Sequence, residues 1–197
     1  ARDADTAAAA RWKLVSIHRA QGSHRKWLQA IGAQLATDPV DFERGLDELS
    51  QIPRDEAARL IDEALGEGKA SSPTSRPSED VNTRADSFFC LGWLADRLNR
   101  PEDAEALYAK ALEIKPDFML AVVGMAQLWV DRCQWDKALK TLADARTDNA
   151  MLQAKIERLQ ARCYDGLDQL TDAVRYYQAS IEKDPDPDTL LRLGLML

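Results

Sequence analysis

The chain has 197 residues, 45% of them apolar and 30% charged, with a formal net charge of −7. That length can bury a substantial core, and the acidic balance speaks against a nucleic-acid-binding surface, which needs a basic face. No run approaches the roughly twenty apolar residues of a membrane-spanning helix.

The opening residues lack the charged-then-apolar pattern of a secretory signal. Cys90, Cys133 and Cys163 lie far apart, with no Cys-x-x-Cys pair. They read as reduced, buried thiols acting as small apolar residues. A cytoplasmic chain fits this pattern, with a processed periplasmic or secreted chain as the alternative.

In chain order, residues 14–39 carry a helical apolar period through Leu14, Val15, His18 and Ile31, with Gly22 between two segments. Residues 41–68 read as two shorter helices broken near Pro53, with Leu46, Leu49, Ile52, Ala57, Leu60, Ile61 and Leu65 as their apolar residues. Residues 66–84 are rich in Ser, Pro, Gly and charge without an apolar period, the composition of a flexible loop or linker. Residues 85–99 form the next predicted helix. Gly92 in its middle costs about 1 kcal/mol relative to Ala, which points to close approach of another helix there.

The stretch from Arg100 to Phe118 shows how the sequence encodes a helix. Pro101 suits the first helical position, and Glu102 and Asp103 complement the positive end of the helix dipole. Ala104, Leu107, Tyr108, Ala111, Leu112 and Ile114 form one apolar stripe, and Pro116 stops the helix. The very short turn between this helix and the preceding one predicts an antiparallel hairpin.

The chain then repeats itself. Gly92, Ala104, Tyr108, Ala111 and Pro116 recur thirty-four residues on as Ala126, Ala138, Leu142, Ala145 and Ala150. A further thirty-five residues give Ala161, Ala173, Tyr177, Ser180 and Pro185. Small residues stand where helices must approach, and large ones where side chains interdigitate.

This period, with its Leu-Gly, Ala, aromatic, Ala, Pro pattern, resembles the tetratricopeptide repeat family. The match is strongest in 85–118, where Phe88, Leu91, Gly92, Ala104, Tyr108, Ala111 and Pro116 stand in pattern. The second copy, 119–152, has Met125-Ala126 for Leu-Gly, and the third, 154–186, has Gln160 where Leu is usual. Gly194 follows Gly92 by 102 residues, so Thr189 to Leu197 read as the first helix of a fourth copy, and the absence of its partner helix suggests a longer protein. Residues 1–65 fit the same template as degenerate helical repeats. Trp27 stands in a slot normally held by Ala, where it is expected to push the helices apart.

The resemblance implies an all-α fold of antiparallel hairpins stacked into a right-handed superhelix. It also implies a non-catalytic scaffold that binds a protein or peptide segment in its concave groove. The family's groove slots fall on Asp86, Phe89, Trp93 and Asp96, then Leu120, Val123 and Gln127, then Lys155, Arg158 and Arg162. The expected site is therefore an apolar end of Phe89, Trp93, Leu120 and Val123, with Gln127 leading to a basic end of Lys155, Arg158 and Arg162. An acidic partner with apolar anchors would suit it. Phe89 and Trp93 occupy slots where chaperone-binding members carry a Lys and Asn set, so the resemblance does not extend to that activity.

No catalytic set, metal site or cofactor loop can be assembled. His18 and His24, the two histidines, have no Cys or carboxylate at ligand spacing, and no Gly-rich phosphate loop is present. Two other readings of the scaffold remain: a positioning module of a larger multidomain protein, and a module that self-associates into a homo-oligomer. The basic cluster Arg11, Lys13, Arg19, Arg25 and Lys26, followed by acidic residues 38–68, reads as charge complementarity between neighbouring repeats.

Overall fold

A computed structural model of the chain describes residues 2–37, 42–66 and 81–196. Among the described residues there are eleven helices and no strand. They are α1 (Arg2–Ala20), α2 (His24–Thr37), α3 (Phe42–Ser50), α4 (Arg54–Gly66), α5 (Val81–Arg97), α6 (Pro101–Ile114), α7 (Met119–Asp131), α8 (Trp135–Leu142), α9 (Ala150–Gly166), α10 (Leu170–Lys183) and α11 (Pro187–Met196). Most of the expected linker at 66–84 lies outside the described residues. Residues 81–84 are helical, since the first turn of a helix needs no apolar stripe of its own. The chain divides into two compact units, Ala1–Phe118 and Met119–Leu197.

The repeat is written into the backbone as well as the side chains. Asn99, Cys133 and Asp168 close α5, α7 and α9 in the left-handed conformation, with φ of 58°, 55° and 58°. The next amide in each case reaches back to a carbonyl five residues earlier: Arg100 to Ala95, Gln134 to Trp129 and Gln169 to Tyr164, at 2.9, 2.8 and 2.8 Å. Such a bond satisfies a carbonyl at the helix end and reverses the chain in a few residues. Gly22, with φ of 63°, makes the same turn between α1 and α2, where the Ser23 amide reaches His18 at 3.0 Å. The first hairpin therefore keeps the turn geometry of the others. This geometry corrects the expectation for Cys133. It occupies the turn and is exposed, whereas Cys90 and Cys163 are buried.

In the first unit, α5 and α6 pack through Phe89, Leu91, Leu94 and Ala95 against Ala104, Leu107, Tyr108 and Ala111, all buried. A Cβ on Gly92 would lie 2.8 Å from the Tyr108 ring, so the glycine is what lets the ring cross its helix. Helices on both sides of residues 67–80 share this unit. The backbone of α2 at Gly32 approaches Asp86 of α5, and Lys110 donates to the Ala64 carbonyl at 2.8 Å. Arg19 pairs with Glu48 at 3.1 Å and Arg25 with Glu63 at 2.7 Å, so these basic residues are matched by carboxylates of α3 and α4. Trp27 is buried in its small-residue slot under His24, whose ring centroid lies 6.0 Å away.

In the second unit, α7 is apolar on nearly every face and buries Leu120, Ala121, Val122, Val123, Ala126, Leu128, Trp129 and Val130. Trp129 packs within its own hairpin, with the Lys137 ammonium 4.4 Å from the ring centroid. Asn149 caps α9 by accepting the Leu152 amide at 2.8 Å. The departure at Gln160 has a physical reason: α8 is short, and the buried Gln160 amide donates to the Leu142 carbonyl at its end, 3.4 Å away. Asp186 caps α11, accepting from the Thr189 amide at 2.9 Å and its hydroxyl at 2.6 Å, while Pro187 fills the first helical position.

Candidate functional site

The second unit holds a cavity of about 620 Å³ between the first helices of successive hairpins, α7, α9 and α11. Helix α9 builds its basic wall. Leu152, Ile156, Leu159 and Cys163 are buried, and Lys155, Arg158 and Arg162, spaced by three and four, share the adjoining half-buried face. All three line the cavity, as does Gln127 of α7. The basic end expected from the sequence is thus brought together with Gln127.

The apolar end is not. Phe89 is only 2% exposed, its ring 6.1 Å from that of Tyr108 and 5.7 Å from that of Phe118, centroid to centroid. Leu120 and Val123 are also buried. A ligand cannot reach these three side chains, because they serve the packing of their own helices. Trp93 is half-buried in the first unit, with the Arg97 guanidinium 5.4 Å from its ring centroid, and is not part of the cavity lining.

Other aromatic groups take that place. Trp135, the first residue of α8, lies against Gly166 at the end of α9, where a Cβ would come 2.4 Å from the indole. Only glycine allows this approach. Tyr177 of α10 supplies the buried floor, and burial is the main cause raising its phenol above the usual range.

The charges come in matched pairs. Arg162 meets Asp131 at 3.2 Å, Arg158 meets Asp186 at 3.3 Å, and Arg192 grips Asp165 with two nitrogens at 2.6 and 2.7 Å. Gln127 also donates to Asp131, at 2.7 Å. The lining counts Lys155, Arg158, Arg162 and Arg192 against Asp165, Asp186 and Asp188, so its balance is close to neutral. A guanidinium has five N–H donors in a planar fork. The contacts of Arg158 and Arg162 with these carboxylates each use one nitrogen, whereas Arg192 spends two on Asp165.

The sequence reading missed Trp135, Tyr177 and Arg192. Their one available signal was Gly166, a helix-end glycine where the sister copies have Arg97 and Asp131.

A family model described as tetratricopeptide repeat matches residues 97–163. That segment is of the tetratricopeptide repeat type. Among solved structures the chain resembles the N-terminal domain of stress-induced protein-1 (STI-1) from C. elegans. That match has 19% identity and a TM-score of 0.53, over 60% of this chain and 98% of that one. It also resembles the MamA RS-1 ArsTM double mutant, again at 19% identity, with a TM-score of 0.52, over 73% of this chain and 82% of that one. At such identities the likeness is one of fold. No curated protein matches the sequence.

Tetratricopeptide arrays are protein-interaction scaffolds, and the helical fold found here is of that type. Among the described residues no three His, Cys, Asp or Glu side chains are grouped to hold a metal ion, and no helix is long and apolar enough to cross a membrane.

Proposed function

We propose that the cavity between α7, α9 and α11 binds an extended segment of a partner protein. Trp135 acts as the aromatic contact above the buried Tyr177, and Lys155, Arg158 and Arg162 engage acidic groups on the segment. The observation that carries this reading is the convergence of the α9 basic face with Trp135 and Tyr177 on one cavity. The paired aspartates hold the guanidiniums in place before the ligand arrives, which limits the ordering cost of binding. Because the lining is close to neutral, charge selects and orients the segment more than it adds raw affinity. The segment supplies an apolar or aromatic residue to the Trp135 indole and carboxylates to the remaining donors of Arg158 and Arg162. No bond is made or broken, and the protein acts as a non-catalytic adaptor.

The test is selection of a random-peptide display library on the intact chain, followed by binding of individual synthetic peptides. Selected peptides should combine Asp or Glu with an aromatic or branched apolar residue. Their affinity should fall at least tenfold with Trp135→Ala and with Arg158→Glu. Peptides that bind both variants as tightly as the parent would refute the assignment of this cavity.

A further inference from the structure

The ion pairs that join α7, α9 and α11 around the cavity are not built alike. Arg192 holds Asp165 with two nitrogens, and such a parallel pair of bonds fixes both groups by itself. Arg158 and Arg162 each reach their aspartate with one nitrogen, at 3.3 and 3.2 Å. A single contact of that length does little to stop a long side chain from swinging, and holding it still when a ligand binds has an entropic cost.

At both single contacts a neutral donor from a neighbouring helix shares the aspartate oxygen. The Gln127 amide of α7 donates to Oδ1 of Asp131 at 2.7 Å, and Arg162 meets that same Oδ1. The Thr189 hydroxyl of α11 donates to Oδ2 of Asp186 at 2.6 Å, and Arg158 meets that same Oδ2. Two adjacent sites on α9 therefore carry the same arrangement of neutral donor, carboxylate and guanidinium.

The Thr189 contact does more than a helix cap requires. Capping α11 needs only the Thr189 amide, which already reaches Asp186 at 2.9 Å. The hydroxyl adds a second bond to the same oxygen, at a length typical of a charge-assisted O–H···O⁻ contact. Thr189 is 3% exposed, so this donor is buried with the carboxylate as its acceptor. It is also the largest cause holding Asp186 below the usual carboxylate range, which keeps the group facing Arg158 ionised.

We infer that Thr189 is a positioning residue for the cavity: by fixing the Asp186 carboxylate it aims the Arg158 guanidinium at an acidic group of the ligand. Gln127 does the same for Arg162 through Asp131. The cap of α11 and the binding site thus share one oxygen atom. This inference rests on the reading of the cavity as a site for an acidic segment.

The experiment uses the intact chain and a selected peptide whose affinity falls with Trp135→Ala. A neutral version of that peptide has every Asp and Glu replaced by Asn and Gln. Circular dichroism checks that each variant keeps its helices. Thr189→Val removes the hydroxyl and keeps the amide cap. It should weaken the acidic peptide roughly three- to tenfold, the range of one hydrogen bond, and leave the neutral peptide unchanged. Thr189→Ser, which keeps the hydroxyl, should bind like the parent. In an Arg158→Met background Thr189→Val should have no further effect, because its influence runs through that guanidinium. Gln127→Met repeats the test independently of α11, and its effect should vanish in an Arg162→Met background.

Equal losses for the acidic and neutral peptides, or losses that persist in the Met backgrounds, would mark a general loosening of the helices and overturn the inference. Unchanged affinity in Thr189→Val overturns it too, while the cavity reading stands. If no selected peptide responds to Trp135→Ala, the cavity reading itself falls and the inference falls with it.

Discussion

Replacing Phe89 by Ala separates packing from ligand contact at the position where the two readings of the sequence diverge most. The phenyl ring is 2% exposed and makes ring contacts with Tyr108 and Phe118 at centroid distances of 6.1 and 5.7 Å. A buried aromatic side chain removes on the order of 150–250 Å² from water, worth roughly 4–6 kcal/mol at about 25 cal/mol per Å². Measured Phe→Ala losses in cores run about 3–5 kcal/mol, because surroundings relax only partly. Since whole domains are stable by about 5–15 kcal/mol, this substitution should remove a large share of the stability. With a urea slope of about 2–3 kcal/mol per M, the midpoint should fall by roughly 1–2 M. Urea unfolding followed by circular dichroism gives the midpoint. Hydrogen exchange should place the weakened protection on α5 and α6 of the first unit. A midpoint within about 0.3 M of the parent, combined with loss of peptide binding, would refute the burial argument and restore Phe89 to the site.

Three further outcomes follow from the same geometry. Asp186 is held below the usual carboxylate range chiefly by the Thr189 hydroxyl, then by the Thr189 amide and Arg158. A lowered folded-state pKa gives stability that is present above the unfolded value and is lost as pH falls through the folded one. Hydrogen exchange should therefore show α11 loosening in acid below about pH 4, and Asp186→Ala should cost about 0.5–2 kcal/mol at neutral pH and flatten that acid limb. An unchanged acid limb would contradict the cap. A soluble maleimide should label Cys133 within the native protein, while Cys90 and Cys163 react only on unfolding; burial pushes the Cys163 thiol up to about 11 and raises Cys90 well above the usual range. Labelling of all three at one rate would contradict the packing. Gly166→Ala should displace the indole of Trp135 and weaken selected peptides at least threefold while leaving helix content unchanged; equal peptide affinity would show that Trp135 is not a ligand contact.

The repeat was legible from residue types alone, since each small residue in the period answers a place where helices touch. Gly92 against Tyr108 is the clearest case. The basic half of the site was legible for a related reason: Lys155, Arg158 and Arg162 sit at helical spacing, and that spacing fixes a common face whatever lies opposite. The apolar half was not. Slots that face a groove in a regular array carry side chains as large as Phe89, and whether such a ring meets solvent or core depends on neighbours distant in sequence, here Tyr108 and Phe118.

Sequence by itself determined the all-α class, the hairpins and their thirty-four-residue register, because these rest on local periodicity, turn chemistry and helix stop signals. Tertiary structure alone decided which charges meet. Arg162 with Asp131, Arg158 with Asp186 and Arg192 with Asp165 join residues 27 to 31 positions apart, from different helices. It also decided that Trp135 and Tyr177, rather than Phe89, face the cavity. A local pattern orients a side chain relative to its own helix. What that side chain touches is set by where the other helices come to rest.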